Sequence, residues 1–153
     1  MVPSNPLAIR ALSPTDYSQW LPLWRCYQEF YGTSIADGDT DITWARFVDR
    51  SEPMHAFGAF EGEALMGIVH IVFHRSTWTP GDYCYLQDLF TVPAYRGRGV
   101  GRALIEHVYQ FAGDRRASRV YWLTHETNAT AMALYEKLAD RSGFIQFRKH
   151  LDG

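Results

Sequence analysis

Past its midpoint the chain reads Tyr95-Arg96-Gly97-Arg98-Gly99-Val100-Gly101-Arg102. This stretch follows an apolar segment that ends near position 92, and apolar residues at helical spacing continue it to about position 111. We therefore predict a strand, a tight turn and a helix. A helix N-terminus presents unpaired backbone N–H groups and a partial positive charge. Glycines let that backbone approach phosphate groups, and arginines add charge, so a phosphate-binding turn is favoured over an ordinary surface loop.

Two common nucleotide motifs do not fit this turn. A Walker-type loop ends in Gly-Lys-Ser/Thr, whereas this sequence has Gly101-Arg102-Ala103. A dinucleotide fingerprint requires the spacing G-x-G-x-x-G, but the glycines stand at positions 97, 99 and 101. That fingerprint also belongs to a mostly parallel sheet, and the segments before this turn indicate an antiparallel meander. The turn is therefore predicted to bind a phosphate group through neither of these two nucleotide motifs.

The segments before the turn alternate between helical and extended patterns. Ser13 followed by Pro14 is typical of a helix start, and Gly32 of a helix end. Short turns around Gly62 and Gly81 separate runs rich in apolar and β-branched residues, which predicts hairpin-connected strands. The predicted elements are a strand over 7–12, a helix from 13–16 to Gly32, a second helix over 42–48, and strands over 56–60, 64–73 and 83–92.

After the turn the pattern becomes helix, strand, helix and strand. The turn's own helix is followed by a short buried strand over 119–124, a helix marked by apolar residues from 131 to 138, and a last strand over 144–147. Together these elements predict a mixed α/β (α+β) fold with a mostly antiparallel central sheet flanked by helices. With 153 residues, we expect a single domain over 1–153.

Composition narrows the function classes. The chain is 46% hydrophobic and 21% charged, which excludes a disordered protein, and its formal net charge of −2 argues against a general nucleic-acid binder. Cys26 and Cys84 show no metal-ligand spacing, so we expect no metal and two reduced thiols, with a single disulfide left open. The start of the chain does not resemble a secretory signal, and the apolar run over 64–73 is too short to span a bilayer. We expect a soluble cytoplasmic protein that does not bind membranes.

The spacing Arg96-x-x-Gly99-x-Gly101 resembles the R/Q-x-x-G-x-G/A motif of the GNAT superfamily, the acyl-CoA-dependent N-acetyltransferases. The order of predicted elements is similar to that family's fold as well. The resemblance implies acetyl-CoA as the acyl donor, with its pyrophosphate held by the amides of residues 97–102. It also implies that the pantetheine arm contacts the backbone of the preceding strand at Leu89, Phe90 and Thr91. Core packing of those side chains is compatible with main-chain contacts of this kind.

Asn128 and Tyr135 form a second candidate group. Seven residues apart, they differ by only about 20° around a helix axis and so share a face. From the residues alone, Asn128 is a helix N-cap and Tyr135 a half-buried residue of an amphipathic helix. The family resemblance implies that Asn128 contacts the cofactor and that Tyr135 is the general acid that protonates the departing CoA thiolate. It further implies direct transfer to an amine, with backbone N–H groups near Phe90 stabilising the oxyanion.

The acceptor site is less defined by sequence. The segment Tyr85-Leu86-Gln87-Asp88 resembles the Y-L-E-D segment of the diamine and polyamine branch (spermidine/spermine and thialysine N-acetyltransferases). Here Gln87 replaces the Glu and cannot act as a base, whereas Asp88 can take up a proton or hold a cationic amine. A salt-bridged or solvated Asp88 is the alternative. Glu29 and the acids at 37, 39 and 41 are candidates for an acidic rim, and His125 and Glu126 are alternative proton acceptors.

These observations favour an enzyme that acetylates a primary amine of a small molecule. Two alternatives remain open, a protein or peptide N-acetyltransferase and a CoA-binding module without catalytic activity. Since members of the family are often dimers, the resemblance also allows a homodimer.

Overall fold

The computed structural model describes residues 6–153, and within that range the chain forms five strands and four α-helices. Short 3-10 turns at Pro14–Asp16 and Pro93–Tyr95 precede α1 and the glycine-rich turn. In chain order the elements are β1 (Leu7–Ala11), α1 (Tyr17–Phe30), α2 (Asp37–Val48), β2 (Met54–Glu61), β3 (Ala64–His74), β4 (Tyr83–Thr91), α3 (Val100–Asp114), β5 (Arg119–Tyr121) and α4 (Ala129–Leu138).

The five strands form one sheet in the order β1-β2-β3-β4-β5. The first four are joined as an antiparallel meander, whereas β5 lies parallel to β4 after the crossover through α3. Pairing between β3 and β4 shifts register, because His70 lies opposite Asp88 and Ile71 lies opposite Leu86. Gln87 is therefore the extra residue of a β-bulge, which bends β4 midway along its length.

Helices cover both faces of the sheet. On one face Trp20 and Trp24 of α1 pack in a core cluster with Ala56 of β2. The next residue of β2, Phe57, points to the other face and lies 4.9 Å from the ring of Phe111 in α3. Since both faces are covered, β2 and β3 are apolar on both sides, and their central residues are buried.

A glycine in β3 lets the start of α3 approach the sheet. A Cβ atom at Gly67 would lie 2.9 Å from Cγ1 of Val100 and 3.1 Å from the carbonyl oxygen of Phe90. Both distances are shorter than ordinary carbon contacts, so a larger residue at position 67 would push α3 away. The N-terminus of α3 is thereby held next to the end of β4.

The described residues up to Leu123 form one compact unit, and residues 124–153 form a second, which contains α4. In the second unit the predicted strand over 144–147 is wrong, since these residues belong to no strand. Phe144 and Phe147 are 89% and 90% exposed. The alternating apolar pattern is suited to a strand, but a strand also needs a neighbour for its backbone hydrogen bonds, and none pairs with this segment among residues 6–153.

The other predicted elements are confirmed with modest changes of length. Helix α2 begins at Asp37, five residues before the predicted start, and β5 ends at Tyr121 rather than at position 124. The predicted fold class, a mixed α/β fold with a mostly antiparallel sheet, is confirmed. That the chain is a single domain stays a prediction. In the part of the chain described, none of the helices has the length and apolar character needed to cross a bilayer.

Candidate active site

The glycine-rich turn lies between β4 and α3, as the sequence predicts. Gly99 is the N-cap of α3 and has a φ of 78°, and Gly97 has a φ of 77°. Residues with a side chain rarely adopt this left-handed conformation, so the two glycines set the path of the turn. A Cβ atom at either position would meet no protein atom within 4 Å. The turn thus leaves open space beside the unpaired N–H groups of the helix N-terminus.

The three arginines of the turn have different surroundings. Arg96 donates a hydrogen bond from Nε to the carbonyl oxygen of Thr91, at 3.2 Å, which ties the turn to the end of β4. The guanidinium of Arg98 lies 5.1 Å from the ring centroid of Tyr95. Arg102 forms an ion pair with Glu106 one turn further along α3. Arg96 and Arg98 therefore lie within the turn, while Arg102 is partly neutralised on the helix surface.

One edge of β4 is open over the half nearest the turn. Pairing with β5 covers only Tyr83 to Tyr85, and among residues 6–153 no strand pairs with this edge from Leu86 to Thr91. The open edge includes the predicted pantetheine contacts at positions 89, 90 and 91. The side chain of Phe90 belongs to the core cluster, so its packing role and a main-chain binding role are compatible. Backbone groups on such an edge can pair with the amides of an extended ligand.

A cavity of about 440 Å³ lies on the α1 and α2 face, beside the bulge in β4. Both Gln87 and Asp88 line it, because the bulge brings consecutive residues to the same side. Four aromatic side chains contribute to its walls, those of Trp24, Tyr27, Tyr31 and Phe47, and His70 also lines it. None of the residues that line it is a lysine or arginine.

Asp88 is held at the cavity wall by hydrogen bonds. Its Oδ2 lies 2.9 Å from Nδ1 of His70, which is itself buried and accepts a hydrogen bond from the indole N–H of Trp20. Burial, followed by the negative charge of Asp88, raises the pKa of Tyr27 well above its ordinary value, and a hydrogen bond between the two side chains acts in the same direction. Asp88 is therefore neither salt-bridged to a lysine or arginine in this structure nor fully solvated.

The predicted acidic rim is not assembled at this cavity. Glu29 is exposed on α1 and does not line the cavity, whereas its neighbour Gln28 does. Asp37 and Asp39 lie in the first turn of α2, where carboxylates interact favourably with the helix dipole. Asp41 lies within 3.4 Å of the Tyr17 hydroxyl, at the edge of hydrogen-bonding range. Among the described residues, only Asp88 brings a carboxylate to the cavity.

The second unit holds the other two predicted residues. Asn128 is the N-cap of α4 and accepts a hydrogen bond from the backbone N–H of Ala131 at 3.4 Å, which is the structural role expected from sequence. Tyr135 lies on α4 and is half-buried. In the same unit, Nδ1 of His125 lies 2.7 Å from the Thr127 hydroxyl, so this histidine closes a local turn before α4.

Sequence reasoning missed His70, Trp20 and Tyr27 as parts of the site. The sequence does contain a signal for His70, since it interrupts the apolar run of β3 and a buried polar side chain normally has a hydrogen-bond partner. Trp20 and Tyr27 share the apolar face of α1 and could not be distinguished from ordinary core residues by spacing.

The chain is similar in sequence to one protein family and to several characterised relatives. The sequence profile described as the acetyltransferase (GNAT) family matches residues 19–139. The chain is 32% identical over 146 residues to the D-amino-acid N-acetyltransferase HPA3 of Saccharomyces cerevisiae, covering 94% of this chain and 91% of the yeast protein. It is also 32% identical over 108 residues to the thialysine N-epsilon-acetyltransferase of Caenorhabditis elegans, covering 67% and 66% of the two chains.

Solved structures share the fold at lower identity. AAC(6')-Iy in complex with the bisubstrate analog CoA-S-monomethyl-acetylneamine matches with a TM-score of 0.81 and 16% identity, covering 96% of this chain and all of that one. An aminoglycoside acetyltransferase from an uncultured soil metagenomic sample, meta-AAC0020 in complex with sisomicin, matches with a TM-score of 0.80 and 17% identity, covering 95% and 97%.

Proposed function

The chain belongs to the GNAT family of acetyltransferases, and from that premise we propose that it transfers the acetyl group of acetyl-CoA to a primary amine of a small molecule. Acetyl-CoA is the acyl donor that GNAT acetyltransferases use. The observation that carries the acceptor class is the aromatic cavity with Asp88 as its one carboxylate among the described residues. An alkylammonium ion is suited to such a cavity, because aromatic faces and a carboxylate both attract cations.

The proposed donor site combines the turn and the open edge of β4. The amides at residues 97–102 would hold the pyrophosphate, helped by the dipole of α3. The open space beside Gly97 and Gly99 is compatible with a bulky anion at close range. The backbone from Leu89 to Thr91 would pair with the pantetheine amides. When bound, acetyl-CoA supplies an activated thioester that an amine can attack without a covalent enzyme intermediate.

The chain's own residues would hold and move protons around that attack. Asp88 would hold the ammonium form of the acceptor and take up the proton that the amine must lose. Tyr135 would protonate the departing thiolate, which is the role that the family resemblance assigns to it. Gln87 cannot accept a proton, and we propose that it contributes a hydrogen bond to the acceptor from the cavity wall.

Release of free CoA thiol, measured with acetyl-CoA and a panel of amines, tests this function. The panel contains spermidine, lysine analogues, amino acids of both configurations and a basic peptide. Turnover with a small amine supports the proposal, and turnover with the peptide alone would favour a protein or peptide acetyltransferase. Acetyl-CoA binding without turnover on any amine would favour a CoA-binding module.

The general-acid role is tested by Tyr135→Phe. We expect acetyl-CoA to bind with unchanged affinity and turnover to fall by roughly 10². Tyr109→Phe, which removes a hydroxyl from α3, is the matched control and should retain activity. Unchanged turnover of Tyr135→Phe across the pH range would remove Tyr135 from the mechanism.

A further inference from the structure

Helix α1 contributes two buried hydrogen-bond donors to the wall of the cavity. Trp24 and Gln28 both line it, and they share a face of the helix because they lie four residues apart. Trp24 is 7% exposed, and its indole Nε1 is the only buried side-chain nitrogen or oxygen among residues 6–153 without a hydrogen-bond partner. Buried polar groups are normally paired, so this N–H needs an acceptor that the described part of the chain does not supply.

The amide of Gln28, which is 5% exposed, is oriented by the loop that follows α1. The backbone N–H of Ile35 donates to Oε1 of Gln28 at 2.8 Å, and only the oxygen of an amide side chain can accept such a bond. The Nε2 group of Gln28 therefore keeps two N–H donors. Among residues 6–153 no acceptor is paired with them.

Other polar groups of the cavity do not take the place of these donors. Both ring nitrogens of His70 are occupied, since Nε2 lies 3.0 Å from the indole nitrogen of Trp20 and Nδ1 lies 2.9 Å from Oδ2 of Asp88. The hydroxyls of Thr33 and Thr43 can donate or accept, so they do not select for either partner.

The cavity thus offers two kinds of binding group from two elements. Asp88 of β4 supplies a carboxylate, which favours a cation, whereas α1 supplies two neutral donors, which require lone pairs. Since no lysine or arginine lines the cavity, an oxygen of a ligand would find its hydrogen bonds at Trp24 and Gln28. A molecule that carries both an ammonium group and such an oxygen fits this arrangement.

We propose that Trp24 and Gln28 are specificity-determining residues that bind an oxygen of the acceptor, so that the preferred substrate is a small amine that also carries a carbonyl, carboxylate or hydroxyl oxygen. This inference rests on the proposed function, because it places the acceptor amine at Asp88. The two donors bind the acceptor away from its reacting nitrogen and transfer no proton. A simple alkylamine or polyamine leaves them unpaired and is disfavoured for that reason.

A water molecule bound to the two donors would also satisfy them, and the substrate would then need no oxygen. The test therefore compares three amines with the same aromatic body, which suits the aromatic walls. Phenethylamine has no oxygen, phenylalaninamide adds a carbonyl, and phenylalanine adds a carboxylate. We would measure the Kd of each by titration calorimetry with CoA in excess, and kcat/KM with acetyl-CoA.

The decisive quantity is the ratio of the phenethylamine Kd to the phenylalaninamide Kd, compared between wild type and variant. Intrinsic differences between the two amines cancel in this comparison, and so does any loss of packing that weakens both ligands. We expect the ratio to fall roughly tenfold in Trp24→Phe, which keeps an aromatic ring and removes the N–H. It should also fall roughly tenfold in Gln28→Met, which removes the amide.

Each variant has a matched control outside the cavity. Trp44 packs against the same core cluster as Trp24 but does not line the cavity, so Trp44→Phe should leave the ratio unchanged. Gln19 also lies on α1, and its Oε1 accepts a hydrogen bond from the backbone N–H of Leu65 at 3.1 Å. Gln19→Met removes a comparable bond away from the cavity wall and should leave the ratio unchanged as well.

The same ratio in wild type, Trp24→Phe and Gln28→Met would overturn the inference, because the donors would then bind water or serve packing alone. A fall in the ratio for phenylalaninamide supports a carbonyl oxygen, and a larger fall for phenylalanine supports a carboxylate. If Trp24→Phe does not fold, Gln28→Met decides the question by itself.

The proposed function and this inference fail in different ways. Turnover of amines with a ratio that neither variant changes would refute the role of the donors and leave the proposed function standing. A ratio that depends on both donors, without turnover of any amine, would support the oxygen site and refute the proposed function. Absence of both binding and turnover for all three amines would refute both.

Discussion

Substitution of Gly99 by alanine separates the cost of a strained backbone from the loss of a phosphate site. Gly99 adopts a φ of 78° as the N-cap of α3, and an added Cβ would meet no protein atom within 4 Å. The variant therefore clashes with nothing in the protein itself. A residue with a Cβ pays about 1–2 kcal/mol for the left-handed conformation, and we expect the free energy of unfolding to fall by that amount.

The expected effect on acetyl-CoA is larger. If the pyrophosphate lies against the amides of the turn, the Cβ would displace it and lengthen the hydrogen bonds that it accepts. A hydrogen bond to a charged group contributes about 1.5–3 kcal/mol, so the loss of two would weaken binding by about 3–6 kcal/mol. That corresponds to roughly a hundredfold or greater rise in Kd.

Titration calorimetry with acetyl-CoA measures this effect, and chemical denaturation measures the stability. Gly32→Ala is the matched control, since Gly32 has a φ of 67°, has no atom within 4 Å of an added Cβ, and belongs to the end of α1 rather than to the turn. It should lose similar stability and keep its affinity for acetyl-CoA. Equal Kd values for wild type and a folded Gly99→Ala would refute the assignment of the turn.

Three further properties follow from single side chains. A hydrogen bond from Arg10 holds the pKa of Asp16 at about 2. Asp16→Asn should therefore lower the free energy of unfolding by about 1–2 kcal/mol near neutral pH. The difference between wild type and variant should vanish as the pH falls from about 4 towards 2. Burial lowers the pKa of His55 to about 4, whereas the unfolded chain binds that proton near pH 6.5. The free energy of unfolding should therefore decrease as the pH falls from about 6.5 to about 4. In denaturation measurements at several pH values, His55→Leu should reduce this pH dependence. Burial also raises the pKa of Cys84 to about 12, whereas Cys26 is exposed. We therefore expect one thiol to react with a disulfide reagent in the native protein and two in denaturant, and Cys26→Ser to keep full turnover. Reaction of two thiols in the native protein would contradict the placement of Cys84.

Local rules explain most of what the sequence predicts correctly. The turn at residues 95–102 is recognisable because glycine at a helix N-cap and apolar helical spacing leave few alternatives. The meander is predictable from Gly62 and Gly81 between apolar runs. The prediction of a strand over 144–147 was wrong. Apolar periodicity shows how a segment could pack, but a strand also requires a neighbouring strand, which this periodicity does not identify.

The site was predicted less completely than the fold. Asp88 was found through resemblance, but its hydrogen bond to His70 depends on the β-bulge at Gln87, and a one-residue shift of register cannot be deduced from alternation alone. Glu29 was expected near the acceptor because the matching region of the family rims the acceptor site, and that assignment stays a prediction. Glu29 does not line the cavity beside Asp88, whereas its neighbour Gln28 does. Long-range register and helix rotation therefore determine which side chains line the candidate site.

In the proposed enzyme, the cavity at Asp88 binds the acceptor amine while the turn binds acetyl-CoA. The most direct test is the KM for the acceptor and the Kd for acetyl-CoA in Asp88→Asn, which removes the charge and keeps an acceptor for His70. Asp37→Asn is the control, since Asp37 is 91% exposed and outside the cavity. We predict a rise in KM of roughly tenfold or more for Asp88→Asn, no change for Asp37→Asn, and the same Kd in all three proteins. An unchanged KM in Asp88→Asn, or equal increases in both variants, would contradict the account.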